Sequence, residues 1–278
     1  MKVRTFFWRD RVISNKQMFL RKAISSQNSC YYFNHGNAGD LFMLNLVEHY
    51  YNVPTINVKN SGNRLLGVGS IAHKILENDL LCGIGVKSPD VPLASQVNCK
   101  ILGLRGPLSY EAFKKAGHFL GDLKFLADPG LLIQKFINKD QKPQIGKILF
   151  IPHYRERFLY KSKTLKGIDV ADIDVDPLLL GEKILQAELV LSSSLHGIIF
   201  AHSLGRPCTF ILPQTREPMI KFIDYFESVD IAEPHPVKII FDYQPSCPAI
   251  LPKDIENKIN SIVFPNIEFL EKHNIIVT

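Results

Sequence analysis

The chain has 278 residues, of which 46% are hydrophobic, and this length is ample for one large domain or two of ordinary size. Its net charge of +6 is moderate and the basic residues do not cluster with interleaved aromatic residues, so we expect no nucleic-acid partner, whereas an acidic small substrate fits. We expect a cytoplasmic protein, because no run approaches the ~18 apolar residues of a membrane-spanning helix, no signal peptide is recognisable, and five scattered cysteines indicate neither a disulfide framework nor a zinc site.

The first 28 residues are strongly basic and aromatic. Seven lysines and arginines stand there against one acidic residue, and the aromatic residues among them are Phe6, Phe7, Trp8 and Phe19. Two interpretations stay open for residues 1–28. One is peripheral contact with an anionic bilayer at the cytoplasmic face of the inner membrane. The other is an ordinary surface helix or arm that its aromatic residues anchor to the body of the protein.

Apolar runs alternate with helical patterns in the first half of the chain. Helical periodicity is clearest after Asp40 and after Pro107. The apolar runs interpreted as strands are residues 30–33, 55–58, 64–70, 80–85 and 99–105. This alternation predicts a parallel sheet with crossover helices.

A polar stretch at residues 138–146 interrupts the pattern and is the best candidate for a linker. A second series of alternating strands and helices is predicted after it. Its strands are at 147–152, 168–170, 187–191 and 208–211, and its helices are at 177–187 and 198–204. The sequence therefore predicts an α/β fold of two Rossmann-like domains, residues 1–137 and 147–278, that face each other across a ligand cleft.

The turn Ser192–Gly197 is the most informative motif, because it joins a predicted strand to a predicted helix. Open parallel sheets bind ligands at such strand ends, and the unpaired N–H groups of a helix N-terminus suit an anion. His196 therefore lies at a predicted site, although a lone histidine is more often a capping or core residue. The stretch Gly36–Asp40 also follows a predicted strand and begins a predicted helix. Its glycines permit close approach of a ligand, and Asp40 is a residue type suited to cap the helix.

Two further strand ends carry charged residues. Arg105 precedes a predicted helix, where a guanidinium can hold a carboxylate or phosphate with two hydrogen bonds, or can form an interdomain salt bridge instead. Asp128 begins the turn Asp128–Gly130, where it can accept a proton, orient a hydroxyl or shape the turn. Both residues are candidates for the cleft.

Seven short motifs occur in order along nearly the whole chain. They are Asn37–Asp40, Gly67–His73, Gly83–Lys87, Leu104–Pro107, Asp128–Leu132, Ile151–Tyr154 and Ser192–Gly197. This ordered set resembles the polysaccharide pyruvyl transferase family, and most closely its ketal-forming members of the xanthan ketal pyruvate transferase type. The resemblance implies a fold similar to GT-B glycosyltransferases and phosphoenolpyruvate as donor substrate, with no further cofactor. The implied product is a sugar that carries pyruvate as a cyclic ketal.

The resemblance also assigns residues to the donor. In many members an arginine stands directly before the Leu-His pair, where this chain has Ser194, so another cation must help to hold the donor. Lys221, Arg216 and Arg206 are the candidates. Lys221 is preferred because residues 221–228 are similar to a downstream segment of the family; the alternative is a helix in which Lys221 pairs with Asp224. The donor-binding residues are expected to be Arg105, Ser194, Leu195, His196, Gly197, Lys221 and Arg216.

Ketal formation requires a proton for the enol carbon of the donor, and His196, with an ordinary pKa of ~6.5, is the expected general acid. Asp40 or Asp128 would take the proton from the attacking hydroxyl, and the sequence does not decide between them. We expect no metal site, since the histidines His73 and His153 stand alone. The cleft is expected to be lined further by Gly36, Asn37, Gly39, Gly69, Ser70, Gly85 and His153.

Two other functions stay open at this stage. One is a nucleotide-sugar-dependent glycosyltransferase of the same general fold, and the other is a non-catalytic relative that binds glycan or phosphate. The acceptor, a cell-surface polysaccharide or its lipid-linked precursor, follows from the resemblance. The basic aromatic N-terminus motivates the lipid-linked form.

Overall fold

The structure is a computed structural model that describes residues 1–9, 11–24, 32–160, 165, 167–232 and 234–277. Within these residues two sheets of mainly parallel strands are flanked by helices. This confirms the prediction of an α/β protein with parallel sheets. The GT-B arrangement of two domains stays a prediction.

The first sheet draws most of its strands from the N-terminal half. They are β1 (Lys2–Thr5), β2 (Thr55–Asn57), β3 (Leu65–Leu66), β4 (Leu80–Ile84), β5 (Lys100–Leu104), β6 (Phe125–Leu126) and β11 (Ile276–Val277). Their order is β11-β1-β3-β4-β5-β6, with β2 also paired to β1, and β11 is antiparallel to β1. All residues of β3 and β4 are buried, as expected for parallel strands covered by helices.

The second sheet comes from the C-terminal half. Its strands are β7 (Ile148–Ile151), β8 (Ile168–Val170), β9 (Leu189–Ser192) and β10 (Cys208–Phe210), all parallel in the order β10-β9-β7-β8. The register places Ile151 opposite Ser192, so the chain leaves β7 and β9 at the same edge of the sheet. The segments that follow these two strands therefore lie side by side.

Helices connect the strands. The α-helices are α1 (Asn15–Ile24), α2 (Ala38–Tyr51), α3 (Pro107–Lys115), α4 (Pro177–Gln186), α5 (Leu195–Ser203), α6 (Ile220–Ser228), α7 (Ile255–Ser261) and α8 (Ile267–Lys272). Short 3₁₀ helices lie at Ala72–Lys74, Pro129–Lys135, Tyr154–Leu159 and Ile240–Asp242. The Asn37 side chain caps α2 by accepting a hydrogen bond from Gly39 N at 3.1 Å. No helix in the described part of the chain is both long and apolar enough to cross a bilayer.

One apolar core joins the two sheets. Phe42 of α2 packs edge-on against Phe200 of α5 with ring centroids 5.5 Å apart, and residues of both sheets belong to the same buried cluster. The division into residues 1–137, a linker at 138–146 and residues 147–278 stays a prediction, but β11 lies in the first sheet rather than with the second series.

The predicted strand at residues 30–33 extends outside the described residues, because residues 30 and 31 are not described. Within the described part, Phe33 forms only an isolated parallel bridge with Val12. The other predicted strands and helices appear within one or two residues of the expected positions, with two exceptions: the run at 64–70 shortens to Leu65–Leu66, and the helix predicted at 198–204 begins three residues earlier, at Leu195.

Candidate functional site

A cavity of about 520 Å³ lies where the carboxyl ends of strands from both sheets meet. Its wall comes from the segments after β1, β3 and β4 of the first sheet and after β7 and β9 of the second. The first turns of α2, α5 and α6 complete it, together with Phe33 and Glu217. Strand ends of this kind are where open parallel sheets bind ligands, and the volume lies in the range usual for organic ligands.

The cavity is electropositive. Within the described residues its wall carries five basic side chains, Arg9, Arg11, Lys87, Arg155 and Lys221. Two carboxyl groups, Asp40 and Glu217, stand against them. A concave site with this surplus of positive charge attracts an anionic ligand.

The N-terminus of α5 opens into the cavity without a side-chain cap. Ser194 is its N-cap residue, but the Ser194 hydroxyl makes no capping hydrogen bond. The Ser192 hydroxyl accepts from Ser194 N at 3.0 Å and so shapes the turn before the helix. Because the first N–H groups of a helix have no partner inside it, the first turn at Leu195–Gly197 has donors for an anion. Ser194, Leu195 and His196, three of the residues predicted to bind the donor, all line the cavity.

His196 lies in the wall of the cavity and is nearly fully buried. Its Nε2 is 3.9 Å from Asp128 Oδ1 and, among the described residues, has no hydrogen-bond partner. Burial, with the charges of Arg105 and Lys221 adding to it, lowers the pKa of His196 to about 3. The imidazole is therefore uncharged at neutral pH in the unliganded protein, which differs from the imidazolium expected from an ordinary histidine pKa.

Gly39 allows α2 to approach His196. A Cβ at position 39 would stand 2.1 Å from the imidazole Nδ1, far inside van der Waals contact. The glycine predicted to permit close approach of a ligand thus permits close approach of the imidazole. This contact brings Asp40, the next residue, to the same wall.

The two predicted carboxyl groups are both protonated more easily than usual. Burial raises the pKa of Asp40 to about 7, against an opposing effect of the Lys221 charge. Burial also raises the pKa of Asp128 to about 6, although Arg105 and the hydrogen bond from Gly130 N at 2.8 Å oppose it. Near neutrality Asp40 therefore exchanges a proton readily, as a general acid or base must.

Lys221 lies in the cavity wall near the start of α6, nine-tenths buried. Its Nζ is 2.8 Å from Glu217 Oε2, and burial lowers its pKa. Glu217 Oε1 is also 2.9 Å from Arg155 Nη1 and 3.7 Å from His153 Nε2. Lys221 thus pairs with Glu217 and not with Asp224, so the structure contradicts the alternative of a Lys221–Asp224 pair.

Arg105 does not line the cavity. Its Nε donates to Asp224 Oδ2 at 2.9 Å, its Nη1 to the Ser70 hydroxyl at 2.6 Å and its Nη2 to Val86 O at 2.7 Å. Both side chains of the Arg105–Asp224 pair are fully buried. The salt-bridge interpretation of Arg105 is the one the structure supports; Arg105 lies behind Ser70 of the cavity wall, and its charge also acts on His196.

The remaining predicted residues divide into two groups. Asn37, Gly69, Ser70 and His153 line the cavity. Gly36, Gly85, Gly197 and Arg216 are not among the lining residues. Gly36 has a φ of +133°, which favours glycine, whereas Gly85 and Gly197 allow close packing: a Cβ at Gly85 would stand 2.1 Å from Arg105 Cζ, and one at Gly197 2.4 Å from the Ser192 hydroxyl oxygen.

Arg216 is exposed, and the third candidate cation, Arg206, donates to Leu185 O at 2.7 Å outside the cavity. Lys221 is therefore the only one of the three candidates that the structure places in the wall. In the part of the chain that is described, no group of three or more His, Cys, Asp or Glu side chains is arranged to hold a metal ion.

Several lining residues were not predicted from the sequence. They are Trp8, Arg9, Arg11, Phe33, Lys87, Tyr154, Arg155 and Glu217. Lys87 and Tyr154 are the last residues of two of the seven motifs, and Arg155 directly follows Tyr154, so the motifs already pointed to this part of the wall. Trp8, Arg9 and Arg11 were recognised only as part of the basic segment 1–28, because nothing local shows that this segment faces the site.

These features define an α/β protein with an electropositive cavity at the strand ends of two mainly parallel sheets. Residues 97–214, which include Arg105, Asp128 and the turn before α5, match the model of the polysaccharide pyruvyl transferase family. The chain belongs to this family. Its pyruvyl transferase class and a polysaccharide acceptor follow from that membership.

Two individual proteins are similar to the chain. An uncharacterised protein of Acanthamoeba polyphaga mimivirus is 32% identical over 209 residues, which cover 70% of this chain and 71% of that protein. The crystal structure of an uncharacterised protein from Klebsiella pneumoniae superposes with a TM-score of 0.42 at 14% identity, covering 77% of this chain and 94% of that one.

Proposed function

We propose that this chain transfers pyruvate from phosphoenolpyruvate to a sugar of a cell-surface polysaccharide, or of its lipid-linked precursor, and closes it into a cyclic ketal. The observation that carries the proposal is the electropositive cavity around the uncapped first turn of α5. This turn lies in the segment that matches the pyruvyl transferase family.

The charges of the cavity suit the proposed donor. Its phosphate carries about −1.5 to −2 charges at neutral pH, and its carboxylate adds another. The N–H groups of the first turn of α5 and the Nζ of Lys221 are the donors at the buried end, where we place the phosphate. Arg155, which shares Glu217 with Lys221, is a further cation for the carboxylate.

The reaction requires proton transfers that balance. A proton added to the methylene carbon of the donor forms the methyl group and leaves a positive centre at C2. One sugar hydroxyl adds to C2 and loses its proton, and the C2–O bond to phosphate then breaks with its electron pair staying on the phosphate. A second hydroxyl adds to C2 and loses its proton, which closes the ring. Two protons are thus consumed, by the methyl group and by the phosphate, and two are released by the hydroxyls.

We assign the proton donor for the methylene carbon to Asp40 rather than to His196. With a pKa of about 7, Asp40 is roughly half protonated at pH 7, whereas His196 is neutral there. The Asp40 carboxylate left after this step can accept the proton of the attacking hydroxyl, because its pKa is close to neutrality, whereas the low pKa of His196 makes its imidazole a weak base. Neutral His196, whose Nε2 is 3.9 Å from Asp128 Oδ1, can orient the substrate by hydrogen bonding.

Donor binding can be tested by thermal unfolding with phosphoenolpyruvate, UDP or GDP. At a concentration of 100 times its dissociation constant a ligand adds about 2.7 kcal/mol of stability, which raises the melting temperature by roughly 5–10 °C. We expect this shift with phosphoenolpyruvate alone, its loss in Lys221→Met, and its persistence in Lys115→Met, whose lysine is exposed and outside the cavity. A shift with UDP or GDP alone would favour a nucleotide-sugar glycosyltransferase.

Turnover can be tested by mass spectrometry of the acceptor glycan and by release of inorganic phosphate. In deuterated water the methyl group of the product should contain one deuterium, because one of its hydrogens comes from solvent. Asp40→Asn should abolish phosphate release, whereas Asp122→Asn, a control at a partly exposed position outside the cavity, should not change it. Wild-type release of phosphate by Asp40→Asn would contradict the assignment of Asp40.

For the acceptor we propose a lipid-linked glycan at the cytoplasmic face of the membrane. Helix α1 exposes Phe19 and Leu20, 72% and 52% accessible, beside the basic residues Lys16 and Arg21. Such a helix can lie on an anionic bilayer. Phe19→Ser with Leu20→Ser should weaken sedimentation with phosphatidylglycerol vesicles severalfold. Unchanged sedimentation would contradict membrane contact through α1.

A further inference from the structure

The outer wall of the cavity combines aromatic and basic side chains that the donor does not require. Trp8, Arg9 and Arg11 come from the segment after β1, and Phe33 and Tyr154 lie in the same wall. Arg9 and Arg11 are exposed, in contrast to the buried groups Lys221 and His196 assigned to the donor. A glycan chain must extend into solvent, so its binding site has to be at this exposed end.

The wall is held in place before any ligand binds. Two backbone hydrogen bonds tie the segment after β1 to Phe33: Phe33 N donates to Arg11 O at 2.8 Å, and Ile13 N donates to Phe33 O at 2.9 Å. A third bond lies within the segment, where Val12 N donates to Arg9 O at 3.1 Å. These backbone bonds fix the turn from which Arg9 and Arg11 reach the cavity. A preorganised wall loses less conformational entropy on binding than mobile surface arginines would.

The aromatic rings are also held in position. Trp8 packs edge-on against Phe6 at 5.3 Å and lies parallel to the His73 ring at 6.4 Å, and it remains 36% exposed. Phe33 packs against Tyr154 at 5.6 Å. Trp8 and Tyr154 are at least partly exposed, so the apolar face of a sugar can lie on these immobilised rings, whereas Phe33 is buried and supports Tyr154 from behind.

We infer that Trp8, Arg9, Arg11, Phe33 and Tyr154 form an acceptor subsite for a sugar that carries an oxyanion, either a phosphate ester or a carboxylate. The inference rests on the proposed function and names the acceptor class at the same site. The rings take the sugar face, and the two guanidinium groups hold the oxyanion with charge-assisted hydrogen bonds. A neutral sugar would use only the aromatic part.

Trp8 is the only tryptophan of the chain, so its fluorescence reports directly on this subsite. Three probes are titrated in each of the gluco, galacto and manno series: the hexose 1-phosphate, the hexuronate and the neutral methyl hexoside. In at least one series we expect an anionic probe to bind at least about tenfold more tightly than the neutral one. The comparison of the phosphate with the uronate identifies the oxyanion. Equal or weaker binding of the anionic probes in every series overturns the inference.

The double variant Arg9→Gln with Arg11→Gln should bring the affinity for the anionic probe to that for the neutral one. Lys115→Gln with Lys124→Gln removes the same charge from exposed positions outside the cavity and should leave the affinity unchanged. Stabilisation by phosphoenolpyruvate should persist in the arginine variant. If that variant loses donor stabilisation, these arginines hold the donor, and the inference fails while the proposed function stands.

Two other outcomes separate the proposals. If anionic sugars bind at Trp8 but phosphoenolpyruvate does not stabilise the wild-type protein, the proposed donor is wrong and the subsite remains. If phosphatidylglycerol vesicles change the Trp8 fluorescence through Arg9 and Arg11 while no sugar does, this wall contacts a membrane, and the inference is wrong.

Discussion

Replacing Asp224 by alanine leaves the Arg105 guanidinium buried without its counter-ion. Asp224 accepts hydrogen bonds from Arg105 Nε at 2.9 Å, from Ser109 N at 2.8 Å and from the Ser109 hydroxyl at 2.6 Å. Loss of one partner of a buried ion pair costs about 3–5 kcal/mol, because the other charge remains desolvated. At about 2–4 °C per kcal/mol for a chain of this size, the melting temperature of Asp224→Ala should fall by roughly 6–20 °C.

Differential scanning calorimetry without ligand measures this change. Asp122→Ala is the matched control, because Asp122 pairs with Lys100 at 3.4 Å with side chains that are 42% and 38% exposed. The loss there should stay below about 1 kcal/mol. Adding Arg105→Met to Asp224→Ala removes the stranded charge and should recover part of the stability. A melting temperature of Asp224→Ala within about 2 °C of wild type would refute the reasoning.

Three further changes test the site. Gly39→Ala should reduce turnover at least about tenfold in a phosphate-release assay, because the new Cβ would lie 2.1 Å from His196 Nδ1 and displace the ring; unchanged turnover would contradict this. At pH values above 7, Asp40→Asn should have a higher melting temperature than the wild type, because folding buries the ionised Asp40 carboxylate at a cost. This difference in melting temperature should shrink as the pH falls from about 7 towards 4 and the Asp40 carboxyl group becomes protonated in the folded protein; a difference independent of pH would refute the raised pKa of Asp40. His202, whose pKa burial lowers to about 3, is neutral when folded, so stability should fall as the pH drops below 6.5. Urea unfolding at pH 7 and pH 4.5 measures this decrease in the free energy of unfolding, and in His202→Phe the decrease should be smaller by roughly 2–3 kcal/mol than in the wild type. An equal decrease in both proteins would contradict a neutral, buried His202.

Local patterns of apolar and turn-forming residues were sufficient to predict much of the fold. The apolar runs at β4, β5, β7 and β9 are long and bounded by turn residues, so their positions could be predicted within a residue or two. The turn before α5 was recognisable for the same reason. β11 has only two residues, and its partner strand is at the other end of the chain, so no local pattern reveals it.

The chemistry of the site was predicted less completely. Asp224, the partner of Arg105, is 119 residues away in sequence, and spacing alone left a ligand and a salt bridge as equal alternatives. The proton affinities of Asp40 and His196 depend on burial, which brings together elements that are distant in sequence. Trp8 and Arg9 face the cavity through tertiary packing, although their composition alone also suited a membrane surface.

The pairing of β11 with β1 affects how the protein is made. Lys2 and Val3 pair antiparallel with Val277 and Ile276, which are synthesised more than 270 residues later. At translation rates of about 5–20 residues per second, this edge of β1 waits roughly 14–55 s for its partner. An open strand edge invites pairing with other chains. Nascent chains should therefore be most prone to aggregation in the interval before β11 is synthesised, and chaperones that bind extended segments can act in that interval.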